Sequence, residues 1–371
     1  MSDRLYNILV INWQDITHPL GGGAEVHFHE IFKRVVAAGH SVTLLCCNYD
    51  NAADVEIIDG IRIIRRGTRD FFNFYVPGAY RKLAANEKFD IVFDDLNKIP
   101  FYTPWFVKEP LVALAHHFFG KSIFMEVSFQ YASYVALSES LIKYVYRNTP
   151  FAVVSESTRQ EVKSWGVKSE IDLLPNAVDL AKYYFAPEEK STRPTIGYLG
   201  RIKKYKSVDH IIKAMPHILE RQPNALLKIV CGGDALDNLK ELATSLNISE
   251  HVEFTGHVSH EEKVRLINES WLVVNPSSKE GWGLTVIEAN ACHVPVVAAN
   301  SPGLRDSVVD GKTGLLYEYG NIEQLASSVV GLLKDENKRQ EFAVASREWA
   351  EQWSWSESAK KAINIIEKQV S

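Results

Sequence analysis

The sequence has 371 residues, of which 46% are hydrophobic and 23% are charged, and its formal net charge is −5. These fractions are typical of a globular protein and exclude a disordered or fibrous chain. The acidic balance argues against nucleic acid as the main partner, because a phosphate backbone requires a basic surface.

Short apolar runs alternate with helical patterns through the first half of the chain. In order they read NILVINW, SVTLLCC, DIVFDDL, PLVALAHH and FAVVSE, with a helix predicted over residues 24–38. Near-continuous apolar runs of this length are typical of parallel strands that are buried on both faces. A basic segment, RIIRRGTR (residues 62–69), fits either a solvated strand edge or a surface for an anionic membrane or acceptor.

The second half repeats the pattern with TIGYLGR, LLKIVCGG, VEFTGHV, WLVVNPS and VPVVAA, and with helices predicted over residues 208–220 and 322–333. A chain of this length exceeds what one hydrophobic core usually organises. The sequence therefore predicts an α/β protein with two Rossmann-like, doubly wound domains that face each other across a cleft. The polar stretch APEEKSTRP (residues 186–194) is the predicted linker. The predicted domains are residues 1–187 and 188–352, followed by a helix over residues 353–371 at the domain junction.

The first residues of the sequence and the cysteines indicate in which cellular compartment the protein is expected. MSDRLYNILVINW has no basic region followed by a long apolar core, and no window reaches the 18 apolar residues that a spanning helix needs. The four cysteines lie in apolar runs whose spacing fits neither a zinc site nor a disulfide framework. These features predict a protein of the cytoplasm.

Three familiar site patterns are incomplete. The segments GKS (residues 120–122) and GKT (residues 311–313) resemble the end of a P-loop, but Ala115 and Asp306 stand where its first glycine belongs. The run GGGAEV resembles a dinucleotide fingerprint, but Val26 replaces its third glycine. His27 and His29 are two residues apart, unlike a helical zinc pair, and the chain has no Asp-x-Asp triplet. We therefore predict no metal site.

Two turns are suited to phosphate. The glycines of residues 21–23 lie between a strand and a helix, where backbone amides and the helix dipole attract anions. The segment GYLGRIKKYKSVDHII places Arg201 and Lys206 after a strand and before a helix. Arginine offers a planar fork for phosphate oxygens and lysine a compact charge, so this loop predicts a diphosphate site.

Two carboxylates mark a second loop of the same half. The segment WLVVNPSSKEGWGLTVIEA predicts strand, loop and helix, with Glu280 just before the helix and Glu288 within it. A carboxylate accepts hydrogen bonds from two neighbouring hydroxyls, so both residues suit sugar diols. Alternatively, Glu280 caps the helix and Glu288 lies on its solvated face.

In the order and spacing of these motifs the chain resembles the family 4 retaining glycosyltransferases, which have the GT-B architecture of two Rossmann domains. The resemblance covers nearly the whole length, from GGGAE through VSESTRQEV, LPNAVD, GRIKKYK, FTGHV and PSSKEGWGLTVIEA to DGKTGLL. The chain departs from the residues most common in the family at Ser207, Ala177 and Trp282. Trp282 is a candidate for shaping the sugar pocket.

The resemblance implies a role for each matching position. Glu288 would hold the ribose hydroxyls, Glu280 the transferred sugar, and Arg201 with Lys206 the diphosphate. The base would lie near Gly232 and Val258. The implied donor side comprises Gly22, Gly23, Arg201, Lys206, Gly232, Val258, Glu280, Gly281, Trp282, Gly283, Leu284, Thr285 and Glu288.

The implied acceptor side consists of Glu25, His116 and His117, at the start of a helix and the end of a strand. The family usually places a histidine near the transferred sugar, and we favour His116 over His117. A packed structural role is the alternative for either. His116, Glu280, Arg201 and Lys206 form the implied catalytic set.

The implied activity is metal-independent transfer of a hexosyl group, with retention, from a nucleoside diphosphate sugar to an acceptor hydroxyl. No cofactor is expected, and the base of the donor stays open among UDP, GDP and ADP. The alternatives are a nucleotide-sugar 2-epimerase of the same architecture and a non-catalytic sugar-nucleotide binding protein. The expected acceptor is a glycan or lipid-linked sugar in cell-surface polysaccharide or glycolipid assembly. The aromatic segment of residues 116–148 fits either peripheral contact with the inner face of the membrane or a packed helix.

Overall fold

The computed structural model describes residues 4–97, 99–230 and 236–371. Contacts divide the chain into two compact units. Unit 1 runs up to Asn176 and includes Trp355–Ser371, and unit 2 is Ala177–Ser354. The predicted boundary after residue 187 lies further along the chain than this division.

Unit 1 begins as an alternation of strands and helices. In chain order these are β1 (Asn7–Ile11), α1 (Gly23–Ala37), β2 (Ser41–Cys46), β3 (Val55–Ile58), β4 (Ile61–Arg65), α2 (Phe72–Asn86), β5 (Ile91–Leu96), β6 (Leu111–Ala115), α3 (Ile123–Glu126), α4 (Phe129–Val145), β7 (Phe151–Val153), α5 (Glu156–Ser164) and β8 (Ile171–Leu173).

Unit 2 continues the alternation. Its elements are β9 (Thr195–Leu199), α6 (Val208–Leu219), β10 (Leu226–Val230), α7 (Leu236–Ser245), β11 (Val252–Gly256), α8 (His260–Glu269), β12 (Leu272–Asn275), α9 (Leu284–Ala291), β13 (Val296–Ala299), α10 (Leu304–Ser307), β14 (Gly314–Tyr317), α11 (Ile322–Lys334) and α12 (Glu336–Glu351). The last helix, α13 (Trp355–Val370), returns to unit 1.

The strands of unit 1 form one sheet in the order β3-β4-β2-β1-β5-β6-β7-β8. Its pairs are parallel except for β3, which runs antiparallel to β4. Residues 8–11 of β1 are fully buried because helices cover both faces of a parallel sheet. Helix α13 packs against α1, and Ser358 Oγ donates to the carbonyl of Pro175 at 2.9 Å.

The strands of unit 2 form a parallel sheet in the order β11-β10-β9-β12-β13-β14. Helix α6 shows how the sequence pattern becomes packing. Its side chains at positions 208, 211, 212, 215 and 218 recur at helical spacing, and all five are buried. The prediction of two doubly wound α/β domains is confirmed, and the predicted helices over residues 24–38, 208–220 and 322–333 correspond to α1, α6 and α11.

The strand orders place particular loops side by side. In unit 2, β9 pairs with β10 on one side and with β12 on the other, so the order reverses at β9. In unit 1 the corresponding reversal lies between β1 and β5. Ligands of doubly wound sheets bind beyond the carboxyl ends of the strands at such points. The loops after β9 and β12 are therefore the structural candidates for a binding site in unit 2, and those after β1, β5 and β6 for a binding site in unit 1.

The basic segment of residues 62–69 is largely paired within unit 1. Its most buried member is Arg65 at the end of β4, whose side chain is 0% exposed. The Arg65 guanidinium donates to Asp15 Oδ2 at 2.7 Å, to Glu56 Oε2 at 2.8 Å and to the carbonyl of Ala53 at 2.9 Å. Since Asp15 is also fully buried, the pair anchors the loop that leads from β1 to the glycines before α1.

We expect Arg65→Met to lower the free energy of unfolding by about 3–5 kcal/mol, because it leaves the Asp15 carboxylate buried without its cation. Urea denaturation followed by circular dichroism measures this change. Arg66→Met is the matched control, since that side chain is 43% exposed and lies 3.5 Å from Asp54, and it should cost less than about 1 kcal/mol. Equal losses in the two variants would refute the anchoring role of Arg65.

Candidate active site

The loop between β12 and α9 carries Glu280 at its centre. Its amide donates to the carbonyl of Pro302 at 3.0 Å, which ties the loop to the turn before α10. Gly303 in that turn has φ +82°, and a Cβ there would lie 2.2 Å from the carbonyl oxygen of Glu280. The two loops can approach this closely only because residue 303 has no side chain.

Lys206 contacts the Glu280 carboxylate. The Lys206 ammonium lies 2.5 Å from Glu280 Oε1, and the side chains are 17% and 13% exposed. Ser277 Oγ lies 2.7 Å from the same oxygen. Burial acts to lower the pKa of Lys206, but the Glu280 carboxylate outweighs it and the pKa is raised. The structure thus brings together two predicted site residues that are 74 positions apart in sequence.

Glu288 is the fifth residue of α9 and lies in a second charged cluster of unit 2. Its Oε1 accepts from the Tyr183 hydroxyl at 2.5 Å, and its Oε2 lies 2.6 Å from Lys263 Nζ of α8. The carboxylate is only 14% exposed. Glu288 is therefore not a solvated surface residue of its helix, and Glu280 contacts a lysine rather than capping α9.

The remaining predicted donor residues of unit 2 differ in their exposure. Arg201 is exposed immediately after β9, and Val258 is half-buried between β11 and α8. Gly283 caps the amino end of α9, and Thr285 Oγ1 accepts from Asn275 at 3.1 Å. Of the other members of the set, Gly281 and Leu284 are half-buried, and Gly232 lies outside the described residues.

Trp282 lies in the core of unit 2. Its side chain is 3% exposed and packs edge-on against Trp353, with ring centroids 4.9 Å apart. Trp353 packs in turn on Trp349, whose indole donates to the carbonyl of Ser307. The Trp282 indole is therefore part of the packed core. A ligand can contact residue 282 only through its backbone.

In unit 1 the glycine turn leads directly into α1. Gly22 is the N-cap of α1, Gly23 is its first residue, and the Gly22 amide donates to Glu25 Oε2 at 2.6 Å. Glu25 thus acts as the carboxylate of a capping box, which satisfies an amide that would otherwise lack an intrahelical partner. Its side chain is 4% exposed.

His116 follows β6 and lies among buried polar groups. Its Nε2 is 3.1 Å from Asp95 Oδ1 of β5, and its ring meets that of His27 edge-on at 5.0 Å. Burial lowers the pKa of His116 to about 4, although the Glu25 carboxylate acts in the opposite direction. His117, by contrast, is half-buried and packs near the ring of Phe119 at 5.3 Å.

His27 is fully buried and shares this environment. Its Nε2 lies 2.9 Å from the carbonyl of Leu174, and its ring also packs against Trp355. Burial, reinforced by His116, lowers its pKa to about 3. The carboxyl of Asp94 in β5 shows the opposite effect of burial, which raises its pKa to about 7 although the Tyr146 hydroxyl donates to it.

Sequence reasoning missed Tyr183 and Lys263, which complete the cluster around Glu288. Tyr183 lies 105 positions from Glu288, in a segment that the predicted boundary placed in the first domain. Only the position of Lys263 could have indicated it from the sequence, because it lies on the helix that follows the predicted base site at Val258. Asp95 was also missed, because the pairing of β5 with β6 that places it beside His116 is visible only in the structure.

Within residues 4–97, 99–230 and 236–371, no group of three histidine, cysteine, aspartate or glutamate side chains is arranged to hold a metal ion. None of the helices in those same ranges combines the length and apolar character that a membrane-spanning segment requires.

Two family models match adjoining parts of the chain. Glycosyltransferase Family 4 matches residues 21–182, and Glycosyl transferases group 1 matches residues 181–349. The first match contains Glu25 and His116, and the second contains Lys206, Glu280 and Glu288. The chain belongs to this glycosyltransferase family.

Individual relatives agree with the family. The GDP-mannose-dependent alpha-(1-6)-phosphatidylinositol monomannoside mannosyltransferase of Mycolicibacterium smegmatis is 32% identical over 231 residues, which cover 57% of this chain and 60% of the relative. The glycogen synthase of Mycobacterium tuberculosis is 26% identical over 92% of this chain and 89% of its own. The match thus spans about three fifths of the length of the mannosyltransferase relatives.

Solved structures identify the fold as GT-B. Sucrose-phosphate synthase from Thermosynechococcus elongatus superposes with a TM-score of 0.84 at 20% identity, covering 98% of both chains. The Anabaena protein HepE, in complex with UDP and glucose, superposes with a TM-score of 0.76 at 17% identity, covering 98% of this chain and all of its own.

The buried histidines predict a pH-dependent stability. A histidine in the unfolded chain has a pKa near 6.5, so between about pH 6.5 and 3 the unfolded chain binds a proton that the folded His27 does not. Stability from His27 is therefore present above this window and lost as the pH falls. Asp94, whose pKa is raised, acts in the opposite direction, so we compare the wild type with His27→Gln.

Relative to His27→Gln, the wild type should lose about 2 kcal/mol of unfolding free energy between pH 7 and pH 5. Urea denaturation at the two pH values provides the measurement. His217→Gln, at an exposed position of α6, controls for the loss of a histidine. A constant difference between wild type and His27→Gln would contradict a neutral, buried His27.

Proposed function

We propose that this protein transfers a hexosyl group from a nucleoside diphosphate sugar to the hydroxyl of a glycan or lipid-linked acceptor. The proposal rests on one observation above all: Lys206, Glu280 and Glu288 lie in loops and helices that follow the neighbouring strands β9 and β12. A cation for a diphosphate and two carboxylates for sugar hydroxyls are thus held within one unit.

Each group has a chemical task in the proposed reaction. Arg201 and Lys206 bind the diphosphate, and the amides at the amino ends of α6 and α9 add partial positive charge. These groups stabilise the negative charge that develops on the leaving diphosphate. Glu280 accepts from the hydroxyls of the transferred sugar, and Glu288 accepts from those of the ribose.

We further propose that transfer retains the anomeric configuration and needs neither a metal ion nor a cofactor. The two cations and the helix termini supply the positive charge that a metal would otherwise bring to the diphosphate. His116, which is neutral because burial lowers its pKa to about 4, is proposed to contact the acceptor or the transferred sugar through hydrogen bonds. The GDP-mannose of one relative's name and the UDP and glucose of the HepE structure support a nucleoside diphosphate hexose as donor.

The test is a transfer assay with UDP-, GDP- and ADP-hexoses and a panel of glycan and lipid-linked acceptors. We expect product only with acceptor present, an undiminished rate in EDTA, and an anomeric proton coupling in the product that matches the donor. Glu288→Gln should lower kcat/KM roughly 10- to 150-fold, because a hydrogen bond to a charged group contributes about 1.5–3 kcal/mol. Glu253→Gln, a half-exposed position of β11, is the matched control.

Other outcomes decide against the proposal. An epimerised donor formed without any acceptor would establish a 2-epimerase instead. Tight nucleotide binding with no turnover across the panel would establish a non-catalytic binding protein. A rate that depends on an added divalent ion would contradict metal independence alone, and an inverted product would contradict retention alone.

We also propose that unit 1 contacts an anionic membrane surface, from the cytoplasmic side, through an aromatic surface of α2 and α4. Phe74, Phe129 and Tyr144 are 70%, 76% and 67% exposed. The two helices meet where Asn73 lies 3.4 Å from the Tyr134 hydroxyl. Phe71, which precedes α2, and Phe124 of α3 extend this surface, so that the full aromatic surface comprises Phe71, Phe74, Tyr75, Phe124, Phe129, Tyr131, Tyr134 and Tyr144.

Basic side chains accompany this aromatic surface and favour a negatively charged bilayer. Arg69 and Arg147 are exposed beside α2 and α4, and Lys143 Nζ lies 5.0 Å from the centroid of the Tyr144 ring. Aromatic side chains insert at the interface while lysine and arginine bind anionic head groups. A lipid-linked acceptor would then be reached from the same membrane surface.

Cosedimentation with vesicles tests this contact. We expect binding to vesicles that contain anionic lipid and much weaker binding to neutral ones. The double variant Phe74→Ser/Phe129→Ser should reduce partitioning at least tenfold, because burying a phenylalanine contributes roughly 1.5–3 kcal/mol. Val344→Ser, at a 56% exposed position of unit 2, should bind as the wild type does. Unchanged partitioning of the double variant would exclude the aromatic surface as the membrane contact.

A further inference from the structure

The Glu288 carboxylate has one protein donor on each oxygen. The Tyr183 hydroxyl lies 2.5 Å from Oε1, and the Lys263 ammonium lies 2.6 Å from Oε2. The three residues come from separate parts of unit 2, namely the segment before β9, α8 and α9. A carboxylate with a different donor on each oxygen cannot rotate freely about its last side-chain bond.

Tyr183 is itself held from several directions. Its amide donates to the carbonyl of Asp179 at 3.1 Å, and its ring meets His260 edge-on at 5.0 Å. Burial raises the pKa of Tyr183, and the Glu288 carboxylate raises it further, so the hydroxyl stays protonated and donates. The Tyr183 ring also lies beneath the Lys263 ammonium, 5.5 Å from its centroid.

The segment that carries Tyr183 is fastened to α8. Asn268 of that helix accepts from the amide of Ala186 at 2.9 Å and donates to the carbonyl of Tyr184 at 3.0 Å. Because Lys263 and Asn268 belong to one helix, α8 positions both donors of the Glu288 carboxylate, one directly and one through this segment.

We propose that Tyr183 and Lys263 are positioning residues that orient the Glu288 carboxylate toward the 2′ and 3′ hydroxyls of the donor ribose. An ionised carboxylate has about four acceptor positions, so two remain for the ribose diol after Tyr183 and Lys263 have each taken one. A pre-oriented acceptor loses no rotational freedom when the ribose binds, which strengthens its hydrogen bonds. This inference rests on the proposed function, since it presupposes that Glu288 binds ribose.

A purely structural role for the same contacts would change nucleotide affinities in a different way. If Tyr183 and Lys263 only fastened the segment to α8 and α9, their loss would weaken all nucleotides by the same factor. If they orient Glu288, their loss weakens the ribonucleotide selectively and leaves a nucleotide that lacks the hydroxyl almost unaffected. The ratio of the two affinities therefore separates positioning from structure.

The experiment measures dissociation constants by calorimetry for UDP, GDP and ADP, and for the 2′-deoxy and 3′-deoxy forms of the tightest of these. In the wild type each deoxy form should bind roughly tenfold or more weakly, the effect of one hydrogen bond to a charged group. Tyr183→Phe and Lys263→Met should each reduce this ratio, and the double variant should bring it within about threefold of unity. Glu288→Gln provides the reference for a lost carboxylate.

Matched controls and the remaining outcomes make the test decisive. Tyr184→Phe removes a hydroxyl from the neighbouring, 46% exposed tyrosine, and Lys213→Met removes a lysine that pairs with Asp209 on α6; both should keep the wild-type ratio. A wild-type ratio in the double variant would overturn the positioning role while leaving the function of Glu288 intact. A wild type that does not discriminate against deoxy forms would instead overturn the proposed ribose contact, and the positioning role with it. Tyr183→Phe keeps the packed ring, so a folded variant is available for this comparison.

Discussion

A carboxylate that is largely withdrawn from water must find a cation or hydrogen-bond donors in the protein, and this requirement shapes the candidate site. Glu280 and Glu288 are 13% and 14% exposed, and each has one lysine within 2.6 Å. Neither lysine is adjacent in sequence to its partner. The chain must therefore bring the loop after β9 and helix α8 against the β12–α9 segment before either carboxylate can be accommodated.

The parallel sheet satisfies this requirement through its strand order. Because β9 lies next to β12, the loop that carries Lys206 leaves the sheet beside the loop that carries Glu280. Gly303 then allows the turn before α10 to press against the Glu280 backbone, which fixes the loop from its other side. The same residues that satisfy the buried charges thus hold them in a fixed place, as the proposed recognition of a diphosphate and two sugars requires.

Unit 1 also contains buried carboxylates that are satisfied by a cation or by a hydrogen-bond donor of the protein. The fully buried Asp15 is paired with the fully buried Arg65, and this pair lies beneath the loop that leads to the glycine turn. At the end of the turn, Glu25 satisfies the Gly22 amide as a helix cap. Glu25 and His116, which are proposed for the acceptor side, are therefore buried among polar groups of unit 1, where burial lowers the pKa of His116 and of the adjacent His27 and keeps both neutral.

Much of this organisation could be predicted from local pattern. The ten apolar runs became ten strands, because a strand buried on both faces needs a continuous apolar sequence. Strands β3, β8 and β14 were missed because they are exposed or half-buried over much of their length and so lack such runs. Strand β4 lies in the basic segment, for which a strand edge was one of two interpretations. For the basic segment of residues 62–69, the sequence predicted solvent-exposed charges. It did not reveal that Arg65 is buried against Asp15, because the charge of a residue does not indicate its burial.

The sequence by itself determined the fold class, the repeated α/β alternation and the candidate residues Arg201, Lys206, Glu280 and Glu288, because these depend on spacing within one loop or helix. Only the tertiary structure decided which groups meet. Tyr183 and Lys263 contact Glu288 across 105 and 25 positions, and Trp282 turns its indole into the core of unit 2 rather than toward a ligand. Such pairings follow from strand order and helix packing, which place side chains together over distances that local pattern does not encode.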